Sequence, residues 1–369
     1  MKTPLRILIL TPAALPSVTG NAMTAERWRK ALSRMGYSVM TLASQGADAH
    51  ELSKEIGRFR PDIIHTHHVL KAGSLLMEKP LSHVVKGIPF VVSPAGTDIS
   101  HDHTWGKISP QFIRICSESK MLIIQSPWLL QLLKQILPDM KNRMAYVPKA
   151  FLWQGNEMFN FKRMYEWKPE NIVFFLPGGI RPVKRNLECL GWLHKVFRTR
   201  PSMRAVFAGP ALDADYATRF GNEINGSSSF ARWIPLIPPG AMRSAYQSAD
   251  VVLNASISEG LSNTLLEAIA AGRPILASDI PGNRWVVAGN NKSEACGYLF
   301  NCTETSDFIE KAMELIDDGG LRNTLSNRCR VRSSLLPCME DEAGSLAQIY
   351  EDVFRRHGGG SPTFPPSPA

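Results

Sequence analysis

The stretch DVVLNASISEGLSNTLLEAIAAGRPILASD, residues 250–279, reads as strand, loop, helix and strand in turn. DVVLNA (250–255) and PILASD (274–279) are short apolar runs without the alternation of a half-exposed strand. LSNTLLEAIAA (261–271) has apolar residues at helical spacing, and Gly272 followed by Pro274 stops it. Unbroken Val/Ile/Leu runs belong to strands covered on both faces. Alternating with helices, they make a parallel α/β sheet.

The same alternation extends toward the N-terminus. LRILIL (5–10), YSVMTL (37–42), DIIHTH (62–67), PFVVSP (89–94), MLIIQS (121–126) and MAYVP (144–148) read as strands. Residues 22–36, 51–59, 111–118 and 128–137 fit the intervening helices. Near residues 168–171 the pattern restarts with IVFFLP (172–177), RAVFAG (204–209) and RWIPLI (232–237), with helices at 186–198, 242–248 and 262–271. Two successive Rossmann-like, doubly wound parallel-sheet domains are predicted, spanning 1–168 and 169–340, with EWKPEN (166–171) as the linker. A closing helix is expected at 341–356. The Gly/Pro/Ser-rich tail 357–369 is expected to be disordered. Ligands of such sheets bind beyond the carboxyl ends of the strands, so the loops that follow strands carry the information and a cleft between the two domains is expected.

An apolar fraction of 44% and a charged fraction of 20% fit a folded chain. No run approaches the roughly 18–20 apolar residues that span a bilayer. The N-terminal run at 7–10, followed by Pro12 and Pro16, reads as a buried strand instead of a signal peptide. The six cysteines are scattered, without CxxC, and read as reduced thiols of a cytoplasmic protein. The net charge of +9 is uneven: residues 1–168 carry 22 Lys and Arg against 12 Asp and Glu, residues 169–369 carry 20 against 21. The basic first half suits an anionic partner or peripheral contact with an acidic membrane surface. No nucleic-acid-binding motif accompanies it. SPWLLQLLKQILPDM (126–140) is amphipathic and faces either the core or a membrane.

Within the opening stretch, SEGLSNTLLEA (258–268) places Glu259 in the loop at a strand's carboxyl end and Glu267 in the second turn of the next helix. Gly260 allows close backbone approach. The amides of Leu261, Ser262 and Asn263 open a helix and favour an anion. Carboxylates beside them accept hydrogen bonds from hydroxyls, so the segment suits a molecule with both phosphates and sugar hydroxyls. The structural alternative is a carboxylate stabilising a helix dipole. FFLPGGIRPVKRN (174–186) also follows a strand: Gly178 and Gly179 turn it, and Arg181 and Lys184 present two cations. In TPAALPSVTGNAMTAERW (11–28), Gly20 and Asn21 lead a helix whose first amides suit a phosphate, without G-x-G-x-x-G spacing.

Together these features resemble the retaining family-4 glycosyltransferases of the two-Rossmann GT-B architecture. The resemblance rests on the E-x7-E pair Glu259 and Glu267, the Gly-rich loop with its Arg and Lys, and AAGRPILAS (270–278). It covers nearly the whole chain and is strongest over 172–287. G-N-x-x-T-A-x-R-W (20–28), AGTD (95–98), I-R-x-V-K (180–184) and DIPGN (279–283) resemble more closely the small glycosyltransferase-1-domain-containing proteins, to which selenosugar synthases are related.

The resemblance implies an acceptor domain at 1–168 and a nucleotide-sugar donor domain at 169–340. It implies Glu259 on the donor sugar, Glu267 on the ribose, and Arg181 and Lys184 on the diphosphate leaving group. Gly179, Gly260 and the amides near Gly20, Asn21 and 261–263 complete the phosphate cradle. A UDP-sugar is the expected co-substrate, with no metal or other cofactor; the acceptor is unidentified, and the basic first half suits an anionic or lipid-linked one. Attack from the front face, retaining the anomeric configuration, is implied. Two departures stand out: Ala95 occupies the position where much of the family has a histidine, and the Arg–Lys spacing is short. His68 matches a histidine of the closer relatives, so His68 and Asp98 are acceptor-side candidates; ordinary strand-end packing and helix capping are their structural alternatives. Trp233 lies near the expected base pocket. Asp213 and Asp215 form a D-x-D outside the context of a metal site. A selenosugar or thiosugar synthase, a nucleotide-sugar epimerase and a non-catalytic nucleotide-sugar-binding protein are the functional alternatives.

Overall fold

The computed structural model describes residues 4–17, 19–101, 104–105, 108–289 and 294–357. The chain forms two compact units, Met1–Leu152 with Pro337–Ala369, and Trp153–Leu336.

The first unit holds β1 (Arg6–Thr11), β2 (Ser38–Ala43), β3 (Ile63–His67), β4 (Phe90–Ser93), β5 (Ser100–His101), β6 (Thr104–Trp105), β7 (Leu122–Ile124) and β8 (Met144–Tyr146). β5 and β6 form a small antiparallel ribbon. The other six make one parallel sheet in the order β2-β1-β3-β4-β7-β8. Ile7 to Leu10 are all fully buried, because the sheet is covered on both faces. Trp28 from the first helix and Leu346 and Tyr350 from the last pack on one face, and Leu52 and Ile56 on the other. The amphipathic helix Pro127–Ile136 buries Leu129 and Leu133 in this unit's core. No helix among the described residues is long and apolar enough to cross a membrane.

The second unit holds β9 (Ile172–Pro177), β10 (Met203–Ala208), β11 (Ala231–Ile234), β12 (Val251–Asn254), β13 (Ile275–Ser278) and β14 (Gly297–Phe300). They pair in parallel in the order β11-β10-β9-β12-β13-β14. This is the doubly wound order, and its direction reverses between β9 and β12. The loops after those two strands are the ones that carry Arg181, Lys184 and Glu259.

The unit boundaries differ from the expected 168/169 and 340/341. Residues 153–168 belong to the second unit because their aromatics pack there. Phe161 is fully buried, 4.9 Å from the Phe175 ring centroid. Arg232 stacks 5.2 Å over Tyr165, and Arg204 6.0 Å over Trp167. The expected linker is therefore a tight turn, closed by Lys168 N–H donating to Asn171 Oδ1 at 2.9 Å. The closing helix runs Met339–His357 and joins the first unit. Its Glu342 is buried and accepts two bonds from Arg27, at 2.7 and 2.9 Å, and one from Trp28 Nε1 at 2.9 Å. His357 thus ends a helix, and the rest of the expected disordered tail lies outside the described residues. The edge strand β14, absent from the sequence reading, begins at a glycine for a steric reason: a Cβ on Gly297 would stand 1.8 Å from the Ile275 carbonyl oxygen.

Candidate functional site

The switch point of the second sheet brings Lys184 and Glu259 into contact. Lys184 Nζ lies 2.5 Å from Glu259 Oε1, with the two side chains 19% and 15% exposed. The same oxygen accepts from Ser256 Oγ at 2.8 Å and Asn254 Nδ2 at 3.4 Å. Burial pushes the Glu259 carboxyl up. The charge of Lys184 and the bonds from Lys184, Ser256 and Asn254 outweigh it, holding the carboxyl below its ordinary value. Glu259 is therefore an anion fixed in place, able to accept hydrogen bonds from hydroxyl groups.

Asn254, the last residue of β12, organises this loop. Its Oδ1 accepts from Ser256 N at 3.0 Å, and its Nδ2 donates to Ser262 Oγ at 3.0 Å. The buried Asn283 donates to Asn254 Oδ1 at 3.4 Å and to the carbonyl of Ser278 at 3.0 Å, joining the ends of β12 and β13. Gly282, beside it, is packed against the Glu259 backbone.

The Gly-rich loop after β9 is shaped by close backbone approach. Gly178 has φ +154° and Gly209, after β10, φ +151°. A Cβ on Gly209 would stand 2.3 Å from the Gly178 oxygen. The loop then passes through the short turn Pro182–Lys184 into the helix Asn186–Thr199, which has no side-chain cap at its N-terminus. Arg181 Nε is buried without a hydrogen-bond partner, while its backbone N–H donates to Asn186 Oδ1 at 3.3 Å.

Glu267 stands on the helix Asn263–Ala270, whose Leu265, Leu266, Ala268 and Ile269 are buried. Ser262 is its N-cap residue, and Gly260 and Leu261 lie half-buried just before it. Thr264 Oγ1 donates to the Pro177 carbonyl at 3.2 Å, holding the helix start against the end of β9. The fully buried Tyr246 donates its hydroxyl to Glu267 Oε2 at 2.5 Å. Trp233 is half-buried and donates Nε1–H to the Gly209 carbonyl at 2.9 Å. Asp213 caps the helix Ala214–Gly226 by accepting from Tyr216 N at 2.9 Å, which accounts for one half of the D-x-D.

The first unit's candidates lie at strand ends of its own sheet. Gly20 and Asn21 begin the helix Gly20–Arg34, with Thr19 as its N-cap. His68 follows β3 with φ +85°, rare for a residue with a side chain. Its Nδ1 lies 2.5 Å from Asp98 Oδ1, and its Nε2 2.9 Å from Thr97 Oγ1. Asp98 is fully buried and accepts the N–H groups of Val69, Leu70 and Ala95 at 3.0, 2.9 and 2.8 Å. Asp98 thus clamps its own turn to the segment after β3 and holds the imidazole. His65 is buried between Tyr350 OH and Ser93 Oγ, both at 2.6 Å, and stacks on Trp28. Burial pushes its pKa down to about 3. Burial, with Lys149 next in effect, takes His67 well below its ordinary value.

Tyr246, Asn254, Gly209, Gly282 and Asn283 support the site without having been singled out for it. The signal for two of them was present in DIPGN (279–283), and for Asn254 in a polar residue closing an apolar run.

Residues 173–318 match the family profile of glycosyl transferases group 1. The chain is 24% identical over 333 residues to glycosyltransferase 1 domain-containing protein 1 of Xenopus tropicalis, covering 88% of this chain and 92% of that protein. Sucrose-phosphate synthase from Thermosynechococcus elongatus superposes with a TM-score of 0.77 at 14% identity, over 95% of this chain and all of the other. Anabaena HepE in complex with UDP-glucose gives 0.72 at 14% identity, over 94% of this chain and all of the other. The chain has the two-domain GT-B fold, and its second unit carries the sequence signature of the group 1 glycosyl transferases.

Proposed function

We propose that this protein is a glycosyltransferase that moves a sugar from a nucleotide-diphosphate sugar to an acceptor. A UDP-sugar is the donor in our reading, and the acceptor is anionic or lipid-linked. The observation that carries the reading is the Lys184–Glu259 pair at the switch point of the second sheet, beside the Gly-rich loop and Arg181.

The barrier to such a reaction is chiefly the separation of a diphosphate from an oxocarbenium-like sugar. Fixed cations aimed at the leaving phosphate lower it, so Arg181 and Lys184 supply the positive charge and the reaction is metal-independent. Lys184 has three donors, enough to keep Glu259 in place and reach a phosphate oxygen. Glu259 accepts from hydroxyls of the donor sugar, and Glu267 from the ribose. Gly179, Gly260 and the amides of 261–263 form the second unit's phosphate cradle, and the amides of Gly20 and Asn21 are the first unit's donor-side candidates. His68, held by Asp98, serves the acceptor. Transfer proceeds with retention, as in family 4. We place the protein in the cytoplasm, with peripheral membrane contact through its basic first unit.

The test is donor hydrolysis and transfer across UDP-, GDP- and ADP-sugars, with sugars, phospholipids, thiols and selenophosphate as acceptors. Glu259→Gln, Arg181→Ala and Lys184→Ala are each expected to lose at least about 10²-fold in turnover. Unchanged turnover in all three would sink the assignment. Transfer confined to selenophosphate or thiols would move the protein to the selenosugar or thiosugar synthases. A changed donor configuration without acceptor would indicate an epimerase, and donor binding without turnover a binding protein.

A further inference from the structure

The second unit contains a buried device whose purpose the site residues alone do not explain. Tyr246 is fully buried in the helix Met242–Ser248, with the Phe175 ring edge-on at 5.1 Å and Trp153 at 5.7 Å. A phenol held this way has one orientation. Its hydroxyl donates to Glu267 Oε2 at 2.5 Å. Burial, reinforced by the neighbouring Glu267 charge and the bond between them, takes the Tyr246 pKa well above its ordinary value. The group therefore remains a hydrogen-bond donor at every working pH.

Glu267 sits on a helix flank with three rotatable bonds, and ordering such a side chain at the moment of binding costs affinity. The Tyr246 bond meets that cost in advance by fixing the carboxylate plane. A carboxylate has two oxygens and about four lone-pair sites, so it can accept from the phenol and from a hydroxyl at the same time. A site prearranged to hydrogen-bond a hydroxyl discriminates strongly against an analogue that lacks it.

Building on the assignment of Glu267 to the ribose, we propose that Tyr246 is a positioning residue that makes the donor site selective for ribonucleotide sugars over 2′-deoxyribonucleotide sugars. The donor class is then UDP-, GDP- or ADP-linked, and dTDP-sugars are poor substrates.

The experiment compares kcat/KM for a UDP-sugar and its 2′-deoxy-UDP counterpart, with Kd for UDP and 2′-deoxy-UDP. The wild type is expected to favour the ribose form at least about tenfold. Tyr246→Phe, which keeps the ring packing, should lower kcat/KM for the UDP-sugar about tenfold and reduce the ribose preference to within about threefold. Phe175→Leu loosens the same aromatic cluster without touching the hydroxyl. It should lower Tm and keep the preference. A Tyr246→Phe enzyme with the wild-type preference overturns the inference, as does a wild type that accepts both donors equally. A wild type that binds no nucleotide or nucleotide sugar at all refutes the proposed function itself, before any variant is made.

Discussion

Gly282 and the backbone of Glu259 are in direct contact: a Cβ on Gly282 would stand 2.1 Å from the Glu259 carbonyl oxygen and 2.7 Å from its carbonyl carbon. Both obstacles are main chain, so an added methyl group must displace the loop that holds Glu259. Gly282→Ala is therefore expected to lower kcat/KM by at least about tenfold, since a displacement near 1 Å in a catalytic site costs up to about 10². Kinetics at a temperature well below the variant's Tm separate this from unfolding. An active Gly282→Ala enzyme would count against a role for Glu259.

Lys184 is the largest influence opposing the effect of burial on Glu259. The folded-state carboxyl is held below its ordinary value, so the stability it contributes is present above the unfolded pKa of about 4.3 and is lost as pH falls through the lower folded value. Burial is already the largest single influence on Glu259, so removing the cation that opposes it raises the carboxyl, with only the Ser256 and Asn254 bonds left to hold it down. In Lys184→Met the acid limb of the kcat/KM profile should move to higher pH, beyond the loss of rate. A pH series from 4.5 to 8 reads it. An unmoved limb would mean that Glu259 is not the titrating group.

The buried histidines give the first unit an acid sensitivity of a different origin. His65 and His67 are neutral when folded, with pKa values pushed down by burial. The unfolded chain takes up protons first, near pH 6.5, so stability falls as pH drops below that value, by up to about 1.4 kcal/mol per pH unit for each histidine. Urea midpoints should therefore decrease between pH 7 and pH 5. His65→Gln should flatten that dependence while lowering stability at pH 7, because Tyr350 and Ser93 lose a matched partner. Equal slopes in wild type and variant would contradict the assignment.

Glu342 is the anchor of the last helix. It is 1% exposed and takes two bonds from Arg27 and one from Trp28, with Gln125 as a further donor. Glu342→Ala leaves the Arg27 cation buried and unpaired, a change that costs about 3–5 kcal/mol. Urea denaturation followed by far-UV circular dichroism measures it. A Glu342→Ala, Arg27→Met double variant should recover part of the loss.

The sheets were largely legible because their strands are continuous apolar runs: IVFFLP at 172–177 and MAYVP at 144–148 fall on β9 and β8. β14 was not, since GYLF at 297–300 is a four-residue edge strand opened by a glycine. The domain boundary was misplaced because EWKPEN has the polar, Pro-bearing composition of a linker, while the aromatics before it are spread across a segment with no periodic signal. At the site, the charged residues at strand ends were visible from type and position. The contacts that their supports make were not. Nothing in local spacing shows that Tyr246 lies beneath Glu267, or that Asn283 reaches Asn254, since both depend on how successive βα units stack.

The pairing of Arg27 with Glu342 spans 315 positions of sequence. The first unit is thus assembled from the two ends of the chain, whereas the second, Trp153–Leu336, is one uninterrupted segment. At a synthesis rate of about 5–20 residues per second, Arg27 waits roughly 15–60 s for its partner to be made. The unit begun first is completed last, and the Trp28 face of the nascent sheet stays open while the second unit folds. Pulse-labelled nascent chains should therefore show the second unit reaching protease resistance before the first.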